Sequence, residues 1–273
     1  MLNRLVGPSI VLGVAYHHDT GATNGGCANQ NTPNHIQDLI KVLCDRDIDF
    51  CDYLEKMQEA EIRDLFEALI KASGDENLNT RLNALSAIVN LTSTLIITTS
   101  ITKTIPEESL KALPEIKLFK ALIKISEDTN KDIRHDALRT IVTLIPIIKE
   151  IPKTELPESL KALTKRLFDK DSEWIRQNAS CAIGYIVKKS EISEEELFNL
   201  FKALTQALDD KNLQVRRNVL YTIDYMFDKA ISIVFKKEPK LIKTLTEAIK
   251  REQGFLPLEP YISSLLKKIE KNS

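Results

Sequence analysis

The chain has 273 residues, 43% of them hydrophobic and 28% charged, with a formal net charge of −1. That balance excludes a dedicated polyanion binder driven by bulk charge, and only 8 Gly and 10 Pro favour helix over a strand-and-turn architecture. Four cysteines (Cys27, Cys44, Cys51, Cys181) in a chain of this length do not make a disulfide framework of the small secreted kind, and no apolar run reaches the roughly 18 residues of a membrane span. The expected compartment is reducing and cytoplasmic.

Residues 1–34 differ from the rest. Five glycines (Gly7, Gly13, Gly21, Gly25, Gly26) fall here, and 17–35 is Gly/Asn/Thr-rich without a period, so the segment reads as a flexible tail. The apolar stretch 5–16 follows a lone Arg4 but is broken by Gly7, Pro8 and Gly13 and lacks a clean small-x-small site, which argues against a secretory signal. Helical spacing begins with Ile36, Leu39, Ile40 and Leu43, then Phe50, Tyr53, Leu54 and Met57; residues 35–60 are expected to form a degenerate N-terminal cap.

A register then repeats four times over 61–240. An Ala-Leu pair stands at Ala68-Leu69, Ala121-Leu122, Ala162-Leu163 and Ala203-Leu204, at intervals of 53, 41 and 41 residues. Seven residues after each Ala comes Asp75, Asp128, Asp169 or Asp210, placed in a polar turn where its carboxylate is expected to satisfy free donors of the next helix. Arg81, Arg134, Arg176 or Arg216 follows and is expected to open that helix. Three residues past the Arg stands Ala84, Ala137, Ala179 or Val219; seven past it, Ile88, Ile141, Ile183 or Ile223; ten past it, Leu91, Leu144, Ile186 or Met226. That stripe has a period of 3.6, and a period near forty built from two such helices means an all-α solenoid of stacked antiparallel helix pairs.

The excess in the first interval lies around 106–117, where Glu108-Ser-Leu-Lys-Ala-Leu113 is repeated verbatim as Glu158-Ser-Leu-Lys-Ala-Leu163. The third unit carries one additional residue, with Trp174 preceding Ile175-Arg176. After Leu241, Leu245 and Ile249 the register is interrupted by Pro257 and Pro260. Residues 241–273 are expected to form a C-terminal cap with Lys267, Lys268 and Lys271 on its polar face.

These features resemble the HEAT-repeat family over about 60–250. The resemblance implies a ladder between successive repeats built from Asp75, Asp128, Asp169, Asp210 and Arg81, Arg134, Arg176, Arg216, second helices lining a concave face, and a non-catalytic scaffold. The extra residue beside Trp174 departs from the pattern in the third rung.

The positions two, five and nine beyond each Arg share a helix face away from the apolar stripe: Asn83, Ser86, Asn90; Asp136, Arg139, Thr143; Asn178, Cys181, Tyr185; Asn218, Tyr221, Tyr225. Two readings of it stand. It is a solvated face whose Asn side chains complete hydrogen bonds, or it is a contact surface for a protein or peptide, centred on Asn178, Tyr185, Asn218, Tyr221 and Tyr225 with Arg139 and Arg217 at its edge. Segment charges of −4 (1–60), −2 (61–199) and +5 (200–273) leave nucleic-acid binding by the C-terminal third as the alternative.

An enzyme is not expected: there is no phosphate-binding Gly loop and no nucleophile elbow. The only repeat-region histidine is His135 beside Asp136. His17, His18, Cys27, His35, Cys44 and Cys51 match no zinc-ligand spacing, so neither metal nor cofactor is expected.

Overall fold

The structure is a computed structural model that describes residues 57–97, 114–252 and 258–272. The tail 1–34, nearly all of the cap 35–60, and 106–113 of the first-interval excess lie outside the described residues. Ten helices follow in order: α1 Glu59–Ala72, α2 Leu78–Ile97, α3 Glu115–Ile125, α4 Lys131–Leu144, α5 Leu156–Arg166, α6 Glu173–Lys189, α7 Glu194–Ala207, α8 Leu213–Lys237, α9 Lys240–Arg251 and α10 Glu259–Asn272. The described residues contain no strand. Residues 115–117, the end of the excess, are the first turn of α3.

The helices pair α1/α2, α3/α4, α5/α6, α7/α8 and α9/α10, and the pairs stack. Odd-numbered helices form one layer and even-numbered helices the other. Contacts between successive even helices are much more extensive than those between successive odd ones. The stripe read from the sequence explains why: every residue three, seven and ten beyond the repeat Arg is 1% exposed or less. Small Ala at the first of these positions lets one backbone approach the next, and the Ile of the second fills the gap between neighbours. Leu65, Leu69, Leu118, Leu122, Leu160, Leu163, Leu200 and Leu204 bring the odd layer onto the same continuous core.

Helix starts are set by short side chains, and here the structure corrects the expectation. The helix-capping acceptor is an Asn two residues after the repeat Asp. Asn77 Oδ1 accepts from the N–H of Asn79 and Thr80, Asn130 Oδ1 from Asp132 and Ile133, and Asn212 Oδ1 from Gln214 and Val215. The Asp instead closes the turn before it, one carboxylate oxygen accepting from the N–H of Asn77, Asn130, Asp171 or Asn212 at 2.7–3.0 Å. Nor does the Arg open the helix: it is the fourth residue, one turn inside. The third unit has Asp171-Ser172 where the others have a capping Asn, and Ser172 makes no side-chain cap.

Two even helices approach closely at Gly184 of α6. A Cβ there would stand 2.8 Å from Thr222 Oγ1 of α8, and that hydroxyl is held by the Asn218 carbonyl at 2.9 Å. The partner is a β-branched side chain with a fixed rotamer and has little room to retreat. We expect Gly184→Ala to lower unfolding stability by about 1–3 kcal/mol. Added to Gly184→Ala, Thr222→Ala is expected to cost much less than it does alone. Urea denaturation of the two single variants and the double variant measures that coupling.

Candidate functional site

The charged residues of the repeat form a chain of rungs along one edge of the stack, each Arg reaching forward to the next unit. Arg81 Nε lies 3.1 Å from Asp128 Oδ2, Arg134 Nε 3.0 Å from Asp169 Oδ2, and Arg176 Nε 2.5 Å from Asp210 Oδ2. Arg216 continues the series to Glu252 at 2.9 Å, a rung the sequence register did not mark. Each Arg also uses Nη1 on its own turn: Arg81 on the carbonyls of Asp75 and Glu76, Arg134 on Asp128 and Thr129, Arg216 on Asp210 and Lys211. In the third unit the additional residue leaves Arg176 Nη1 with one such carbonyl, that of Asp169, while its forward pair remains intact.

The Asp210 hydrogen bond raises the Arg176 pKa above its ordinary value. Asp169 is the most heavily engaged carboxylate, also receiving Arg166 Nη1 at 3.0 Å; Asp171 adds a further contact to Arg134 Nη2. The carboxylates and guanidinium groups of these rungs are engaged with one another and with turn backbone, which gives them a framework role.

The odd-helix side is likewise self-paired between repeats, through Glu67–Lys117, Glu127–Lys165, Glu155–Lys120, Glu238–Lys202 and Asp209–Arg251. The even-helix face differs. Tyr185 of α6, Tyr221 and Tyr225 of α8 and Tyr261 of α10 gather there. The Tyr221 and Tyr261 rings meet edge to face, centroids 5.8 Å apart at 83°. Burial raises the pKa of Tyr221, with Tyr261, Tyr225, Cys181 and Asp224 adding to it; burial, Cys181 and Tyr221 do the same for Tyr185. Tyr225 Oη donates to the Lys188 carbonyl at 3.3 Å across to α6, and Lys229 Nζ lies 5.8 Å over its ring.

Below the row α10 is fastened to α8. Ser264 Oγ donates to Asp224 Oδ1 at 2.7 Å, and Lys268 Nζ reaches the Asp224 carbonyl at 2.7 Å and its carboxylate at 3.0 Å. Lys268 is thus turned inward rather than lying on the solvent face expected for it.

No known protein-family model matches the sequence. Solved structures do resemble it. A designed armadillo repeat protein aligns with a TM-score of 0.59 at 19% identity, over 85% of this chain and 98% of that one. A second, a designed armadillo repeat protein in complex with the peptide (KR)4, aligns at 0.55 and 18% identity, over 88% and 95%. An engineered protein aligns at 0.59 and 14% identity, over 88% and 98%. The chain is a HEAT/armadillo-like repeat solenoid.

Within this solenoid the other residues singled out from the sequence separate. Asn218 bridges helices: its Nδ2 donates to the Gln177 carbonyl at 3.4 Å and its Oδ1 accepts from Gln214 Nε2 at 3.2 Å. Asn178 lies half-buried one helix away on α6. Arg217 is half-buried, with no hydrogen bond to its Nε. Arg139, on α4, is exposed and sits 3.7 Å from Asp136, which His135 Nδ1 also approaches at 3.2 Å. Asp136, His135 and Arg139 therefore satisfy one another. No group of three or more His, Cys, Asp or Glu able to hold a metal occurs among the described residues; the Cys and His residues of 17–51 lie outside them. No described helix is long and apolar enough to cross a membrane.

The sequence reading missed Tyr261, which falls beyond the interrupted register, and Lys189, whose Nζ donates to the carbonyls of Ile145, Pro146 and Ile148 at 2.6–2.9 Å beyond the end of α4. The recurrence of Asn two residues after Asp was the available signal for the caps.

Two expectations follow. Arg134 and Asp169 are 4% and 3% exposed, against 18% and 16% for Arg81 and Asp128. Asp169→Ala is expected to cost about 3–5 kcal/mol, since it leaves a guanidinium buried with one partner fewer. Arg81→Ala is expected to cost less, both read from denaturant unfolding. Burial also pushes the pKa of the Cys181 thiol up to about 11. Peptide-resolved alkylation at pH 8 is expected to label it roughly 100-fold more slowly in the folded protein than in the unfolded chain.

Proposed function

We propose that the even-helix face of the solenoid binds an extended peptide segment of a protein partner, and that the chain is a scaffold rather than a catalyst. The observation that carries this reading is the tyrosine row running across α6, α8 and α10. It is a polar aromatic strip spanning three consecutive repeats.

Tyr offers large contact area with few rotors and a hydroxyl to orient a ligand. The Tyr185, Tyr221 and Tyr261 hydroxyls hydrogen-bond to no described protein group, so they remain to meet the N–H and C=O groups of a peptide backbone. The more extensive contacts between even helices than between odd ones support reading this face as the inner one. A solenoid of the same fold is seen with the peptide (KR)4, which supports the architecture as a peptide holder. The present row differs in chemistry: Lys188, Lys229 and Lys268 surround it and Asp224 is already paired, which favours a neutral segment over a basic one.

Replacing Tyr185, Tyr221 and Tyr261 together by Ala is expected to reduce capture of the partner at least about tenfold, with the far-ultraviolet circular dichroism spectrum unchanged. Affinity purification from the source cell with wild-type and triple-variant baits measures this. Equal recovery of the same partner by both baits refutes the assignment of the face. Recovery of nucleic acid that falls steeply with salt would point instead to the basic C-terminal third.

A further inference from the structure

We infer that the turn of the third repeat is a second and separate docking point, which takes a peptide segment presenting an apolar side chain flanked by carboxylates. The turn lies on the rung edge of the stack, away from the tyrosine row. Trp174 takes the second position of α6, which Asn79, Asp132 and Gln214 fill in the other units, and is 45% exposed; Phe168 at the start of the same turn is 44% exposed. They are two of four large hydrophobic side chains exposed to this degree among the described residues. Trp174 borders an open cleft of about 300 Å³ shared with Lys170, Ser172, Glu173 and Lys211.

The charges of this cleft decide the occupant. Asp171 is engaged by Arg134, Arg176 by Asp210, and Glu173 lies in the field of Arg176. Lys170 and Lys211, one from each of two successive turns, have no ion-pair partner among the described residues. An exposed indole in a cleft where two unpaired ammonium groups outnumber the one unpaired carboxylate, that of Glu173, is complementary to an apolar side chain next to carboxylates. A basic segment is repelled, and a small anion leaves the indole uncovered. The equivalent position in the other units is Asn79, Asp132 or Gln214, so the exposed indole is particular to the third repeat.

Trp174 is the only tryptophan in the chain, so its emission reports on this cleft alone. The full chain is titrated with the hexapeptides EELLEE, QQLLQQ and KKLLKK. EELLEE is expected to shift the emission to the blue and to bind at least about tenfold more tightly than KKLLKK, an advantage that shrinks as salt is raised. Lys170→Glu with Lys211→Glu, two exposed positions that leave the fold intact, is expected to abolish that preference; Tyr221→Ala is expected to leave it unchanged. An emission that no peptide alters overturns the proposal. So does equal binding of EELLEE and KKLLKK, or a preference that survives both charge reversals.

Discussion

A guanidinium bridging two turns is the interaction on which the stack depends. Each repeat Arg holds the carbonyls of its own turn through one nitrogen and the carboxylate of the following turn through others. The same carboxylate has its second oxygen tied to a backbone N–H of its own turn. The rung thus fixes a loop, orients an acceptor and sets the offset between neighbouring repeats in one stroke. In a protein whose units contact only their neighbours, that offset is what propagates. A purely apolar interface allows sliding; a fork of directed hydrogen bonds does not.

Around this edge the two layers take different roles. The odd helices carry inter-repeat Lys–Glu pairs on solvent-facing positions, individually weak but effective in neutralising that side. The even helices spend their apolar stripe on one another and leave a face poor in unpaired charge, on which tyrosines from three units converge. The asymmetry between a charged, self-satisfied back and an aromatic front is the ground on which the front is proposed as a binding surface.

What could be read in advance divides along physical lines. The helix pairs and the buried stripe were legible because identical side chains recur at fixed spacing: Ile88, Ile141, Ile183 and Ile223 all serve the same packing role. The direction of the rungs was not, since Arg81 stands six residues from Asp75 yet its side chain pairs with Asp128. Spacing alone does not reveal which turn a flexible guanidinium will reach. Tyr261 escaped because Pro257 and Pro260 disrupt the register that would have aligned it with Tyr221. The irregularity beside Trp174 was visible, but only the fold shows that the added residue lies in the turn at Asp171-Ser172 and that the indole is exposed. Asn218, read as a contact residue or a hydrogen-bond completer, serves the second role, tying α8 to α6.

Lys189 gives the stack a property that composition does not suggest. Its ammonium group gathers three carbonyls beyond the end of α4, while Arg134 clamps the opposite, turn-side end of the same junction. The next junction is held in the same manner, by Arg176 at the turn side and by the Tyr225 hydroxyl on Lys188 at the other. A stack of plates bolted at two opposite rims resists fanning open, where one bolted at a single rim behaves as a spring. The stretch from α4 to α8 is therefore a stiff template. On the proposed reading, a flexible chain laid along it surrenders much of its conformational freedom on association.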